Sequence, residues 1–98
     1  MATLNKKITG SSTTELISAD TNINISKISL ANIEGTNDVS IDLFISKEND
    51  DVYYYFKELQ LPIKTSLVCD INYNARVYSL FIKLSAASGT PAVDVMMS

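Results

Sequence analysis

Hydrophobic and polar residues alternate along several short segments of this chain. The clearest is Val39–Ser46, in which every second residue is valine, isoleucine or leucine and the positions between hold serine, aspartate and phenylalanine. A period of two places one set of side chains on the core face of a strand and the other on the opposite face. No segment has the i, i+3, i+4, i+7 apolar spacing of an amphipathic helix over a useful length. The pattern therefore predicts an all-β protein.

Clusters of turn-forming residues separate the predicted strands. In chain order, these strands are Thr13–Ala19, Ile23–Ile33, Val39–Ser46, Val52–Phe56, Ser66–Ile71, Arg76–Leu84 and Ala92–Met97. Residues 2–8 are short and mildly apolar, and we interpret residues 1–8 as an N-terminal arm that orders on assembly. Residues 57–65 contain Pro62 and are interpreted as a crossing connection.

About seven to eight strands at this spacing are typical of an antiparallel β-sandwich, either Ig-like or jelly-roll-like. We favour a sandwich over a small barrel because alternating strands can form two facing sheets around a shared core.

One predicted strand changes its phase partway along. Ile23 and Ile25 share one parity, whereas Ile28 and Leu30 share the other. Such a slip predicts either a β-bulge near residues 26–27 or a strand that bends there and passes between the two sheets.

Composition restricts the class of protein. Its 98 residues are enough for one domain, residues 1–98, and a hydrophobic content of 46% is typical of a folded one. The net charge is -3 and the only adjacent basic pair is Lys6 and Lys7, so a nucleic-acid partner is not expected. We expect neither a membrane helix nor a signal peptide, because no apolar run is long enough for either. We therefore expect the protein to be made in the cytoplasm.

The usual chemical side chains are scarce. The chain has no histidine, which rules out a histidine base, and its one cysteine, Cys69, cannot form an intrachain disulfide. Cys69 alternates with Leu67 and Ile71, the position of a small core residue. A zinc site lacks its usual ligands, and the acidic loops 34–38 and 48–51 do not follow a calcium-loop pattern. We predict no catalytic residue, no cofactor and no metal.

Four consecutive aromatic residues begin at Tyr53. On a regular strand, Tyr54 and Phe56 share one face and Tyr53 and Tyr55 share the other. One pair is expected in the core, and the other, with Phe44, is a candidate exposed patch. Patches of this kind occur at subunit interfaces and sugar-binding platforms, whereas cross-strand packing that stiffens the sheet is the alternative. We take Phe44, Tyr53 and Tyr55 as candidate contact residues.

The last predicted strand is apolar on both faces. An unpaired strand of this composition would promote aggregation, so we expect it to be paired, either internally or against another copy. Its candidate contact residues are Pro91, Val93, Val95 and Met97.

Several short motifs occur in a suggestive order. The segments Val39–Ile45, Tyr53–Phe56, Leu61–Leu67 and Val93–Ser98 together resemble small β-sandwich virion proteins of tailed bacteriophages. Two positions depart from that pattern, which has glycine where Lys64 stands and a Gly-Asp turn at residues 74–76. The resemblance implies a capsid decoration, fibre, neck or tail accessory protein with no catalytic residues.

The expected function is therefore that of a non-enzymatic structural protein of a phage virion. Such a protein forms homo-oligomers and docks on other virion proteins of the capsid, neck, tail or fibre, and it is located in the virion. The alternative is a glycan- or receptor-binding module of a host-recognition fibre, for which a glycan would be the partner.

Overall fold

The computed structural model describes residues 4–33, 37–47, 52–87 and 89–98. Within these ranges the chain forms β-strands and no helix, so the all-β prediction is confirmed. The strands are β1 (Leu4–Thr9), β2 (Thr13–Ile17), β3 (Asn24–Asn32), β4 (Val39–Ser46), β5 (Val52–Leu61), β6 (Ser66–Asn74), β7 (Ser79–Ala86) and β8 (Ala92–Met97).

The strands form two four-stranded antiparallel sheets. Sheet I has the order β1-β8-β3-β6, and sheet II has the order β2-β7-β4-β5. Strands that are consecutive in the chain lie in different sheets except for β4 and β5. The sequence left open whether the sandwich is Ig-like or jelly-roll-like. The observed strand order is the eight-stranded double-sheet arrangement of a jelly roll.

The core lies between the inner faces of the two sheets and follows the predicted alternation. In β4 the odd-numbered residues Val39, Ile41 and Leu43 are fully buried, whereas the even-numbered residues face outward. Burial of this apolar surface is the main force that holds the sheets together. The other fully buried apolar side chains of the core are those of Ile28, Leu30, Ala75, Leu80, Ile82, Leu84, Val93, Val95 and Met97.

The phase slip in β3 is a local irregularity in the pairing, as one of the two alternatives predicted. Ile25 pairs with Tyr73 and Lys27 with Asp70, so β6 advances one residue more than β3. The strand remains in sheet I. At this point the carbonyl of Ser98 accepts hydrogen bonds from the N–H groups of residues 26 and 27, at 2.9 and 3.1 Å.

Several predicted segments have different boundaries, among them Ser66–Ile71, which extends to Asn74, and Thr13–Ala19, which ends at Ile17. Residues 4–9 are a strand of sheet I, with Leu4 and Ile8 on its inner side, so the described part of the predicted arm belongs to the sandwich. β5 continues to Leu61 because its pairing with β4 resumes after an irregular stretch, which leaves only residues 62–65 as the connection to β6.

The strand predicted from Arg76 begins later, at Ser79. Two hydrogen bonds hold the preceding residues in a turn. The Asn74 side chain accepts from the N–H of Arg76 at 2.8 Å, and the Tyr73 hydroxyl donates to the carbonyl of Tyr78 at 2.7 Å. Side-chain bonds of this kind compete with continuation of a strand.

Candidate functional site

The candidate contact residues of the last strand lie inside the domain. β8 is paired with β1 on one side and β3 on the other, and Val93, Val95 and Met97 are 0% exposed. Pro91, which precedes the strand, is also buried. These four side chains therefore serve the intrachain core and are not available to a partner of the folded domain. Met96, on the outer face, is the large apolar side chain that β8 exposes.

An irregularity in β5 changes which aromatic residues share a face. Tyr54 pairs with Phe44, but Phe56 pairs with Leu43, so three residues of β5 span one step of β4. The extra residue reverses the alternation, as in a β-bulge. Tyr54 consequently lies on the outer face of sheet II beside Phe44, and Phe56 turns inward beside Leu43.

The outer face of sheet II carries a cluster of three aromatic rings, which we call the outer aromatic cluster: Phe44, Tyr54 and Phe81. The Phe44 ring stacks on Phe81, with a centroid distance of 5.5 Å and an interplanar angle of 19°, and meets Tyr54 at 5.3 Å and 51°. The Lys57 ammonium lies 4.6 Å from the centre of the Tyr54 ring. The sequence prediction included Phe44 but missed Phe81, although the alternation of β7 places Phe81 outward with Lys83.

The other two predicted aromatic contacts are separate from this cluster. Tyr53 is 52% exposed and meets Tyr78 edge-on at 5.9 Å. Tyr55 instead connects the two sheets, because its hydroxyl donates to the carbonyl of Asn72 in β6 at 3.1 Å. Burial raises the pKa of Tyr55, so this hydroxyl remains a hydrogen-bond donor to a higher pH than that of an exposed tyrosine.

A polar groove of about 920 Å³ lies beside the outer aromatic cluster, on the same face. Asp42 and Lys83 are register partners there, two residues along their strands from Phe44 and Phe81. The groove is lined by Asn37, Asp38, Ser40, Asp42, Glu58, Gln60, Lys83, Leu84, Ser85, Ala86 and Ala87.

Two of the acidic residues in this groove have structural roles. The Asp42 carboxylate accepts the N–H of Glu58 at 2.7 Å, at the point where Glu58 has a left-handed backbone with φ of 55°. Asp38 accepts the N–H of Ile63 at 3.2 Å. The remaining polar lining includes the hydroxyls of Ser40 and Ser85, the amide of Gln60, the Lys83 ammonium and the Glu58 carboxylate, a mixed set that can form hydrogen bonds with a polar ligand.

Among the described residues, no three histidine, cysteine, aspartate or glutamate side chains are grouped so as to hold a metal ion. Cys69 is half-buried and packs against the core with Leu67 and Ile71, the surroundings predicted from the sequence. In the part of the chain covered by the structure, no helix is long and apolar enough to cross a membrane.

No model of a known protein family matches this sequence, and no curated protein matches it.

Proposed function

We propose that this chain is a non-enzymatic structural protein of a phage virion, which forms homo-oligomers and docks on the capsid, neck, tail or fibre. The observation that carries the proposal is the position of the exposed apolar side chains. Of the eight large ones found among the described residues, five lie in β5, β6 and the turn between them. They are Val52, Tyr53, Tyr54, Ile63 and Val68.

This concentration favours a contact surface over scattered exposure. β5 is one edge of sheet II and β6 is one edge of sheet I, and the Tyr55 hydrogen bond to Asn72 shows that these two edges lie on the same side of the sandwich. Exposed apolar side chains concentrated in two adjacent edge strands and their connecting turn mark an interaction site more often than scattered ones do. The four charged residues of the segment, Lys57, Glu58, Lys64 and Asp70, sum to zero, so like-charge repulsion does not oppose self-association there.

The resemblance to phage virion proteins supports the proposal at one further position. Residues 62–65 form a β-turn in which the Thr65 N–H donates to the Pro62 carbonyl at 3.3 Å. Its third residue, Lys64, has a φ of 58°. A positive φ at this position is the conformation for which glycine is favoured, and the phage pattern has glycine there. The jelly roll is compatible with a capsid role, but a fold does not determine a function.

Binding to particles tests the proposal directly. The purified chain should co-sediment with virions that were assembled without it, and light scattering after size-exclusion chromatography should show an oligomer. Tyr54→Glu should weaken particle binding by about tenfold or more, because it places a charge among these exposed apolar side chains. Val77→Glu changes a similarly exposed side chain outside the segment and should leave binding unchanged. A monomer that does not co-sediment would refute the proposal.

The polar groove favours a second candidate, a glycan- or receptor-binding module. Jelly rolls also occur in lectins, and the groove offers hydroxyl and amide groups beside aromatic rings. It ranks second because the ring faces on which a sugar could stack are already in contact with other side chains. Phe44 and Phe81 stack on each other, and Lys57 lies over Tyr54. Glycan-array hits that are lost in Gln60→Ala and kept in Asn5→Ala, on the other sheet, would support it. An array without hits would count against it.

A further inference from the structure

The free edge of β6 presents a defined set of backbone groups. Within the described residues, β3 is the only strand paired with β6. The N–H of Asn32 donates to the carbonyl of Thr65 at 2.9 Å, and the register continues through Leu30–Leu67 and Ile28–Cys69. Hydrogen-bonded and non-hydrogen-bonded pairs alternate in an antiparallel ladder.

It follows that Leu67 and Cys69 direct their N–H and C=O groups toward β3. Ser66, Val68 and Asp70 direct theirs away from the sheet. The ladder between β3 and β8 agrees with this assignment, because the N–H of Ile33 donates to the carbonyl of Ala92 at 3.1 Å. The odd-numbered residues of β3 therefore form their backbone hydrogen bonds with β8, and the even-numbered residues form theirs with β6.

Residues 66–70 of this edge lack the features that usually prevent edge strands from pairing, which include bulges, lysine, proline and short length, because the shift in the β3–β6 register lies beyond Asp70. The other three edges have them. β5 has shifts in register and the left-handed Glu58, β2 has five residues and a shift, and β1 carries Lys6 and Lys7. Residues 66–70 pair with β3 without a shift and contain no lysine or proline.

The same stretch is complementary to itself. When two copies pair antiparallel, a twofold axis at Val68 sets Val68 opposite its own counterpart and Ser66 opposite Asp70. The free backbone N–H and C=O groups of all three residues in each copy then form hydrogen bonds with the other copy. The two copies then form about six backbone hydrogen bonds. Val68, which is 59% exposed, is covered by the other valine, and each Asp70 carboxylate meets a hydroxyl instead of a like charge.

We infer that a second copy of this chain binds here, by antiparallel pairing of the two β6 strands about Val68. The pairing joins two four-stranded sheets into one of eight strands. This inference rests on the proposed function, because it names the surface through which the chain self-associates. In this register the two Cys69 residues are diagonal neighbours, about 7–8 Å apart, too far for a disulfide.

Cysteine cross-linking tests the register. Residues 68 of the two copies would have Cα atoms about 5.5 Å apart, within disulfide range. Val68→Cys combined with Cys69→Ser should therefore give a reducible dimer on mild oxidation with copper phenanthroline. The matched control, Val77→Cys with Cys69→Ser, has an equally accessible cysteine outside β6 and should remain monomeric on a non-reducing gel. Circular dichroism verifies that both variants are folded.

A charge variant gives an independent measurement. Val68→Lys places two ammonium groups together at the axis and should weaken self-association by about tenfold or more in sedimentation equilibrium. Met96→Lys adds the same charge to the outer face of sheet I, away from the edge, and should have no effect.

The outcomes separate this inference from the proposed function. A dimer that does not cross-link at residue 68 and is unaffected by Val68→Lys overturns the inference and leaves self-association through another surface. A wild-type monomer at high concentration also overturns it, while particle binding still tests the proposed function. Cross-linking at residue 68 without particle binding supports the edge contact and refutes the virion role.

Discussion

Two adjacent methionines provide a direct test of how β8 lies in the sandwich. Met97 is 0% exposed and pairs with Leu4 of β1 and Ile28 of β3, on the inner face, whereas Met96 is 47% exposed on the outer face. Substituting each with alanine makes the same chemical change at neighbouring positions. The two variants therefore differ only in the face on which the side chain is lost.

The expected costs follow from burial. Met97→Ala leaves a cavity in the core, and changes of this type lower the free energy of unfolding by about 2–5 kcal/mol. Met96→Ala removes a side chain already half in water and should stay within about 0.5 kcal/mol. A domain of 98 residues has a total stability of about 5–15 kcal/mol, so the Met97 variant loses a large part of it. At about 4–8 °C per kcal/mol, Tm should fall by about 8 °C or more.

Urea unfolding followed by circular dichroism measures both variants against the wild type. A slip of one residue in the pairing of β8 would move Met96 to the core and Met97 to solvent. Equal costs for the two variants, or a larger cost for Met96→Ala, would refute the described register.

Three further substitutions test particular interactions. Burial, with smaller contributions from nearby charges, raises the pKa of Tyr73 to about 12 from 10.0. The folded state therefore keeps the proton that the unfolded state loses, and stability should fall as the pH rises from about 10 to about 12. Tyr73→Phe should show a smaller alkaline fall in unfolding titrations, and an unchanged slope would contradict the assignment. Asn32, 4% exposed, donates to the Leu61 carbonyl at 2.9 Å. The same amide donates to the Asn37 carbonyl at 3.1 Å. Asn32→Ala should cost about 1–3 kcal/mol in urea unfolding, and no loss would mean that these bonds contribute nothing. Gly10 has a φ of 90° and donates to the Pro91 carbonyl at 3.0 Å. Gly10→Ala should lower stability by about 1–2 kcal/mol through backbone strain, and a rise in Tm would exclude that strain.

The sequence predicted β4 well because its alternation is unbroken and its buried set is entirely β-branched or leucine. Cys69 was placed correctly for a similar reason: it continues the apolar parity of Leu67 and Ile71 in the strand. Where one face is buried, a shift of one residue would expose the whole apolar set, so the pattern determines the register.

The same alternation could not predict which aromatic residues of 53–56 face outward. Consecutive aromatic residues fit either parity, and the bulge that decides between them depends on distant groups. Asp42 of β4 holds the Glu58 N–H, and the Tyr55 hydroxyl reaches Asn72 of β6. These contacts exist only after the strands have assembled, so the sequence alone does not show that Tyr54, and not Tyr53 or Tyr55, lies beside Phe44.

The strand order of sheet I explains why the apolar residues of β8 are buried within the domain. The alternation identified Val93, Val95 and Met97 as one apolar set, but it could not decide between burial in the same domain and burial against another copy. The insertion of β8 between β1 and β3 settles that choice in favour of the domain's own core. Local pattern gives the face of a strand, whereas non-local pairing gives its neighbours.

The position of β8 also constrains the order in which the protein is made and folded. During synthesis, β1 emerges from the ribosome before the other strands of the sandwich, and β8, its partner in sheet I, emerges after them. Until then, the inner residues of β1 and β3 lack the strand that joins them, and sheet I cannot close. Non-local pairings of this kind fold slowly and leave apolar surface exposed. Native structure should therefore form after translation of the domain, and a nascent chain arrested before Ala92 should be a substrate for chaperones.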